Sequence, residues 1–445
     1  MNVFKSEEKK TYLSNFLNPL FEEWENEGIE YCILRNYERL PYYTDNDIDI
    51  MVSDVNKATS IIKNLLVKEK WNIHRIIEYS CRSIYLFKWI DEKLLTIHID
   101  LFSNFNWKSN IMQLGSEVLQ SKYKYKNFYI ISLENEIIEK LLIRLIYNGK
   151  IKPKYTDFIN DNIDNCDKHE LYLSFSNIFN EKKAEKLLHS ISKKDFESIN
   201  EMYKNLRRII RINNYKKPML NLKRKLNESR RLLVRMLKPK GKMIVILGSD
   251  GSGKTTVINN ISTTCKSLFN NIVIKHWRPN LLVRPNVNKR KIQESDYSQP
   301  HKLKPYGKVI SFFRFLYYNI DYILGYYFKV LPIKIRGGLF IFDRYYYDYY
   351  VDKQRYRMNL SDRTIRFFER IIPKPDVVIL YTGSAETIHQ RKEELTIDEL
   401  KTQNDRILKL NKRIKNSIIV NCTQDIMGQI KETINIIIEN SRCEL

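Results

Sequence analysis

Met243-Ile-Val-Ile-Leu-Gly-Ser-Asp-Gly-Ser-Gly-Lys-Thr-Thr256 runs an apolar segment straight into a glycine-rich turn and on into a helical pattern. Consecutive rather than alternating apolar residues predict a strand covered on both faces, as in a parallel sheet flanked by helices. The turn has the spacing Gly248-x4-Gly253-Lys254-Thr255. Glycines let backbone N–H groups close around phosphate oxygens, a lysine reaches the β- and γ-phosphates, a hydroxyl is offered to Mg²⁺, and the following helix points its N-terminus at the anion. Gly248, Ser249, Gly251, Ser252, Gly253, Lys254, Thr255 and Thr256 are therefore the candidate phosphate-binding residues, with Thr255 on the metal, and ATP·Mg²⁺ is the expected ligand.

Outward from this turn, residues 242–445 read as strands alternating with helices: Asn271 to Trp277, Gly338 to Phe342, Asp376 to Tyr381 and Ser417 to Val420 are the further strands. Between them Val309 to Leu331 is rich in aromatic residues, but Arg314, Asp321 and Lys329 break it into runs too short for the roughly 20 apolar residues of a membrane span. It is expected to pack inside the protein.

At 445 residues the chain predicts more than one domain. The net charge of +24 is unevenly spread: Lys204 to Lys242 holds fifteen Lys or Arg against the single acid Glu228. Such a run is a solvated helical face or an attractor of polyanions, whether nucleic acid, phosphorylated glycan or an anionic lipid leaflet. Six scattered cysteines without a C-x-x-C pair give neither a disulfide framework nor a zinc pattern, and the charged N-terminus is unlike a signal peptide. The expected setting is cytoplasmic, with peripheral contact at the inner membrane face as a further expectation. The expected division is an N-terminal domain over 1–203, a basic helical connector over 204–241 and a C-terminal domain over 242–445.

Three stretches of the C-terminal half resemble the thymidylate kinase family of P-loop nucleotide kinases. They are Gly248-Ser-Asp250-Gly-Ser-Gly-Lys254, with a carboxylate third in the loop; Leu339-Phe-Ile-Phe-Asp343-Arg344-Tyr345; and Pro375-Asp-Val-Val-Ile-Leu-Tyr381 followed by Glu386-Thr-Ile-His-Gln-Arg391-Lys392. The resemblance implies a kinase, and phosphoryl transfer needs positive charge on both donor and acceptor. Arg344 at a strand end is a candidate for the acceptor side, Asp343 for Mg²⁺ or its waters, and Arg391 with Lys392 for a closing lid. The family's Arg-x-Pro-Gly-Gly turn is replaced by His276-Trp-Arg278-Pro279-Asn-Leu-Leu, which predicts that thymidine monophosphate is a poor acceptor. The phrase Asp343-Arg-Tyr-Tyr-Tyr-Asp348 through Arg357 resembles kinase-like proteins found with bacterial surface-polysaccharide genes. That implies a sugar, glycan or nucleotide-type acceptor, with Asp250 placed to orient or deprotonate its hydroxyl.

In the first half, strands are expected at Tyr31 to Leu34, Asp47 to Val52, Ile76 to Phe87 and Leu94 to Phe102, and a helix from Asp54 to Lys68. Asp45-Asn-Asp47-Ile-Asp49 places two carboxylates on one strand face, and Asp100 follows on a neighbouring strand. Clustered acids repel one another unless they share divalent metal. Their spacing resembles the polymerase-β-like nucleotidyltransferase superfamily, which implies an α+β domain in which Asp47, Asp49 and Asp100 bind Mg²⁺ or Mn²⁺ and catalyse nucleotidyl transfer. The superfamily's Gly-Ser turn is absent; Arg35 takes its place as the candidate phosphate-binding group. His98 is expected to face away from the acids. Two readings compete with a kinase acting on a sugar or small molecule: nucleic-acid end processing and a nucleotide-gated switch with little turnover.

Overall fold

The structure, a computed structural model, describes residues 6–44, 46–90, 93–283 and 305–441; Asp45 and Cys443 lie outside them. The chain divides into two compact units, Met1–Val234 and Arg235–Leu445.

The first unit is built on a mixed sheet of seven strands. Its members are β1 (Tyr31–Ile33), β2 (Ile48–Val52), β3 (Asn72–Glu78), β4 (Arg82–Ile90), β5 (Lys93–Phe102), β8 (Tyr123–Tyr125) and β9 (Phe128–Ile130), in the order β3-β4-β5-β2-β1-β9-β8. Strands β6 (Asn104–Trp107) and β7 (Asn110–Leu114) pair separately. The stretch from Ile76 to Phe87 is thus not one strand but parts of two, turned at Tyr79 to Cys81 so that Glu78 pairs with Arg82. Helix Val55–Lys68 begins where Asp54 accepts from the backbone N–H groups of Asn56 and Lys57, satisfying donors that the first helical turn leaves open.

A helical layer completes this unit. From Leu133 to Asn148 the chain is continuously helical, but residues Glu139–Ile143 form a π-helical turn, and Gly149 closes the run at φ 75°. The first half of the expected connector belongs to this layer: helix Tyr203–Tyr215 buries Leu206 and Ile210 in the same core as Leu141, Leu145 and Phe175. Helix Pro218–Leu237 differs, since Asn221 is its one buried residue.

The second unit is an α/β fold built on a parallel sheet. Five parallel strands, β10 (Lys242–Gly248), β11 (Ile272–His276), β12 (Leu339–Asp343), β13 (Val377–Thr382) and β14 (Ser417–Asn421), lie in the order β11-β12-β10-β13-β14. Met243 to Leu247 are buried without interruption, as a central strand with helices on both faces requires. The aromatic helix Lys308–Gly325 buries Phe315, Tyr318 and Tyr322 but leaves Ile310, Phe313 and Ile320 exposed, so it packs through one face and is not enclosed. Asp321 is fully buried, accepting from Arg278 at 2.8 Å and from the backbone N–H groups of Asn280, Leu281 and Leu282. The charge that interrupts the apolar run therefore pins the turn after β11. No helix among the described residues is long and apolar enough to cross a membrane.

Candidate functional site

The site of the second unit lies beyond the carboxyl ends of β10, β11 and β12, where open α/β sheets bind ligands. After Gly248, which pairs with Tyr381, the loop turns through Gly251 at φ 85° and Gly253 at φ 86°. Side chains rarely adopt this left-handed conformation, so glycine is required at both. Gly253 then opens helix Lys254–Thr264 with no side-chain cap on its first N–H groups. An uncapped helix start behind a glycine loop is a cradle for phosphate.

Inside the cradle Lys254 donates from Nζ to the Ser249 carbonyl at 2.6 Å and to Ser252 Oγ at 3.2 Å. Thr255 and Thr256 stand exposed at the rim. Burial, and then the neighbouring Arg344, bring the Lys254 ammonium down to about 8 against the pull of Asp250 and Asp343. A bound polyphosphate would hold that proton more tightly than the empty loop does. Affinity for ATP should therefore be flat below pH 8 and fall as pH rises above it. Isothermal titration between pH 7 and 9.5 checks this, and a flat affinity across that range would contradict the assignment of Lys254.

Facing the loop is a charge network that the sequence shows only in fragments. Arg344, itself at φ 72°, donates from Nη2 to Asp250 at 2.5 Å and from Nη1 to Asp348 at 3.0 Å. Arg355, on a 3₁₀ turn over Gln354–Tyr356, grips the other oxygen of Asp250 and also donates to Asp352 at 3.1 Å. Burial raises the Asp250 carboxyl, but Arg344, Arg355 and Lys254 overcome it and hold the group well below the usual carboxylate range. So held, Asp250 is a poor proton acceptor. Its expected role of deprotonating an acceptor is corrected to that of positioning two guanidiniums.

Asp343 lies beside His276 in the parallel register, with Nδ1 to Oδ2 at 3.2 Å. Burial pushes its carboxyl up, while His276 and Lys254 bring it below its ordinary value. Its Oδ1 is buried and makes no hydrogen bond. An orphaned carboxylate oxygen next to a phosphate cradle fits a Mg²⁺ ion or a water in its shell, with the Thr255 hydroxyl as the other candidate. Arg391, donating to the Cys422 carbonyl at 2.6 Å, and Lys392, paired with Glu394 at 2.9 Å, line the same cleft, whose open volume is ≈ 560 Å³. His276, Arg355, Ile426 and Gln429 also line the cleft, and sequence reasoning gave none of them a role. A histidine at the end of β11 in register with Asp343 was a usable signal for the first, whereas Arg355 lies 105 positions from its partner.

The first unit brings its three acids to one sheet face. Asp49 and Asp100 are direct partners across β2 and β5. Each acid, however, already has a cation from the protein. Arg35 Nε lies 2.5 Å from Asp49, and the ring of His98 is hydrogen-bonded to Asp47 at 2.8 Å and lies 3.0 Å from Asp100, a contact that lacks hydrogen-bond geometry. His98 therefore shares the face of the acids and does not turn away, because residues two apart on a strand point the same way. Burial opposes its charged form, but Asp100 and Asp47 outweigh burial and lift it to about 9. Among the described residues no group of three His, Cys, Asp or Glu side chains has the geometry to hold a metal ion. The carboxylates as arranged do not fit Mg²⁺ or Mn²⁺, and the expectation of a metal on Asp47, Asp49 and Asp100 is corrected accordingly. Arg35 is paired with Asp49, and its Nη1 lies 3.7 Å from Glu139, beyond hydrogen-bond distance.

No family model matches the chain, and no curated protein matches it. Among solved structures, thymidylate kinase from Ehrlichia chaffeensis is similar at 15% identity and a TM-score of 0.31, over 45% of this chain and 100% of that one.

Proposed function

We propose that the C-terminal unit is a kinase that moves the γ-phosphoryl group of ATP to a hydroxyl of a sugar or glycan end. The observation that carries this reading is the convergence of Lys254, Arg344, Arg355, Arg391 and Lys392 on one cleft at the strand ends. Backbone N–H groups of the glycine loop and Lys254 would bind and orient the β- and γ-phosphates. Arg391 and Lys392 would neutralise charge at the rim, and Arg344 and Arg355, positioned by Asp250, would face the acceptor. Mg²⁺, held by Thr255 and Asp343, would supply charge neutralisation between the phosphates. In-line transfer of this kind is governed by positioning and electrostatics, and a fixed array of donors meets that need without reorganisation.

Support for a hydroxyl acceptor other than a nucleotide comes from the turn after β11. Arg278 is fully buried on Asp321 and lies over the rings of Trp277 and Tyr318, and so is closed off from an acceptor phosphate. A mass-spectrometric screen of ATP-dependent phosphorylation over nucleotides, sugars and glycan extracts tests the reading. A phosphorylated sugar or glycan is expected, with thymidine monophosphate a poor acceptor. Efficient conversion of thymidine monophosphate to the diphosphate would overturn the acceptor class, and phosphorylation of a nucleic-acid end would favour that competing reading.

The basic helix Pro218–Leu237 is proposed to rest on anionic lipid. Nine large apolar side chains on it are exposed, among them Met219 at 82% and Leu237 at 72%. Met219, Leu222, Leu226, Leu233 and Met236 follow 3- and 4-residue steps along one stripe, interrupted only by Ser229, and Lys223, Lys225 and Arg230 flank it. Like charges on both flanks oppose pairing with a second copy, whereas a negative leaflet adds about 1 kcal/mol per basic residue engaged. Co-sedimentation with phosphatidylserine vesicles should exceed that with neutral vesicles and fall with salt and in Leu222→Asp/Leu226→Asp. Dimerisation through this helix, or no vesicle binding at low salt, would contradict the proposal.

A further inference from the structure

Beside the three acids the first unit contains a second cavity, of ≈ 320 Å³, lined by Arg35, Asp49, Asp100, Glu139 and Arg144. Glu139 is only 4% exposed, and its Oε2 makes no hydrogen bond. The other oxygen has only loose company, Arg35 at 3.7 Å and Arg144 at 3.8 Å, and Arg144 Nε is likewise buried without an acceptor. A buried carboxylate oxygen left unmatched costs about 1–3 kcal/mol, more when charged, so a native fold keeps one where something else completes it. Glu139 begins the π-helical turn Glu139–Ile143, and Arg144 follows it directly. Single π turns inside α-helices cost stability and recur at functional sites. Here the turn brings both orphaned groups to one cavity wall.

The lining also indicates what is bound. Two guanidiniums stand against three carboxylates, so there is no surplus of positive charge to hold a triphosphate. Asp49 is already paired with Arg35, Asp47 and Asp100 lie against His98, and among the described residues no three His, Cys, Asp or Glu side chains are placed to hold a metal ion. Carboxylates accept from hydroxyls, guanidiniums donate to hydroxyl and carbonyl oxygens, and Phe102 and Phe105 add an apolar wall for C–H faces. The volume lies at the small end of the range for ligand pockets.

From this geometry we infer that the N-terminal unit binds one neutral, polyhydroxylated molecule of monosaccharide size, held by Glu139 and Arg144 without a metal ion. The inference is independent of the kinase reading, since it concerns residues of the first unit alone.

The test is saturation-transfer NMR and calorimetry on the full chain in EDTA, with a panel of neutral hexoses, pentoses and N-acetylhexosamines. At least one member should bind the wild type. Glu139→Gln, which keeps shape but loses the charged acceptor, should weaken it by about tenfold or more. Arg144→Met, a change at a partly exposed position, should do the same, and both variants should bind ATP as the wild type does. A sugar held in the kinase cleft would be unaffected by either change, and that result would overturn the inference. So would binding by no panel member, a requirement for Mg²⁺ or Mn²⁺, or competition by ATP or a free amino acid in place of sugar.

Discussion

Lys254→Ala should lower ATP-dependent phosphoryl transfer by about 10³-fold or more, the scale seen when a charge aimed at a transferring phosphoryl group is removed. The ammonium sits within 2.6 Å of the Ser249 carbonyl, in a loop whose glycines fix the phosphate position before nucleotide arrives. Its loss should be felt in kcat and not only in KM, because the charge on the β,γ oxygens grows along the reaction. The same substitution should not unfold the protein. In the empty folded state the charged lysine is disfavoured by burial, so stability rises with pH between about 8 and its ordinary value of 10.5, where the unfolded chain holds the proton more tightly. Removing the charge relieves that cost, and the melting temperature of the nucleotide-free variant should equal or exceed that of the wild type. A sharply lower melting temperature would mean that Lys254 is structural.

Arg344→Met should do the opposite, destabilising the C-terminal unit by about 3–5 kcal/mol, the usual consequence of leaving one partner of a buried ion pair behind. Asp348 is fully buried between Arg344 Nη1 at 3.0 Å and the Tyr356 hydroxyl at 2.5 Å, and Asp250 would keep only Arg355 and the more distant Lys254. Thermal unfolding with ATP absent is the readout, and Arg344→Met/Asp348→Asn should recover part of the loss. If the single variant unfolds like the wild type, the network around Asp250 contributes nothing to the fold, and the positive φ at Arg344 has no local support.

Much of the second unit was legible because its signals are local. A strand, a glycine loop and a helix start are contiguous at Met243 to Thr256, and Asp343-Arg344 ends a strand whose apolar run is unbroken. What the sequence hid depends on distant partners. The Arg355 contact with Asp250 spans 105 residues, and Asp321 reads as an interruption in an aromatic helix until its partner Arg278 is seen 43 positions earlier. The Ile76 to Phe87 stretch passed for one strand because its turn, Tyr79 to Cys81, contains no glycine, proline or asparagine. The expectation for His98 erred on a simple period, and that error concealed the cation between Asp47 and Asp100. Glu139 gave no signal at all, since an acid in a helix is ordinary until its turn is wound as a π-helix.

The central claim, that the cleft over Lys254 transfers phosphate to a bound hydroxyl, is tested most directly by following the γ-phosphoryl group itself. With γ-labelled ATP, Mg²⁺ and the acceptor identified by the screen, label should appear in the organic product for the wild type and be absent from it for Lys254→Ala. Label confined to inorganic phosphate, or nucleotide bound and retained without turnover, would contradict the account and leave a nucleotide-gated switch in its place.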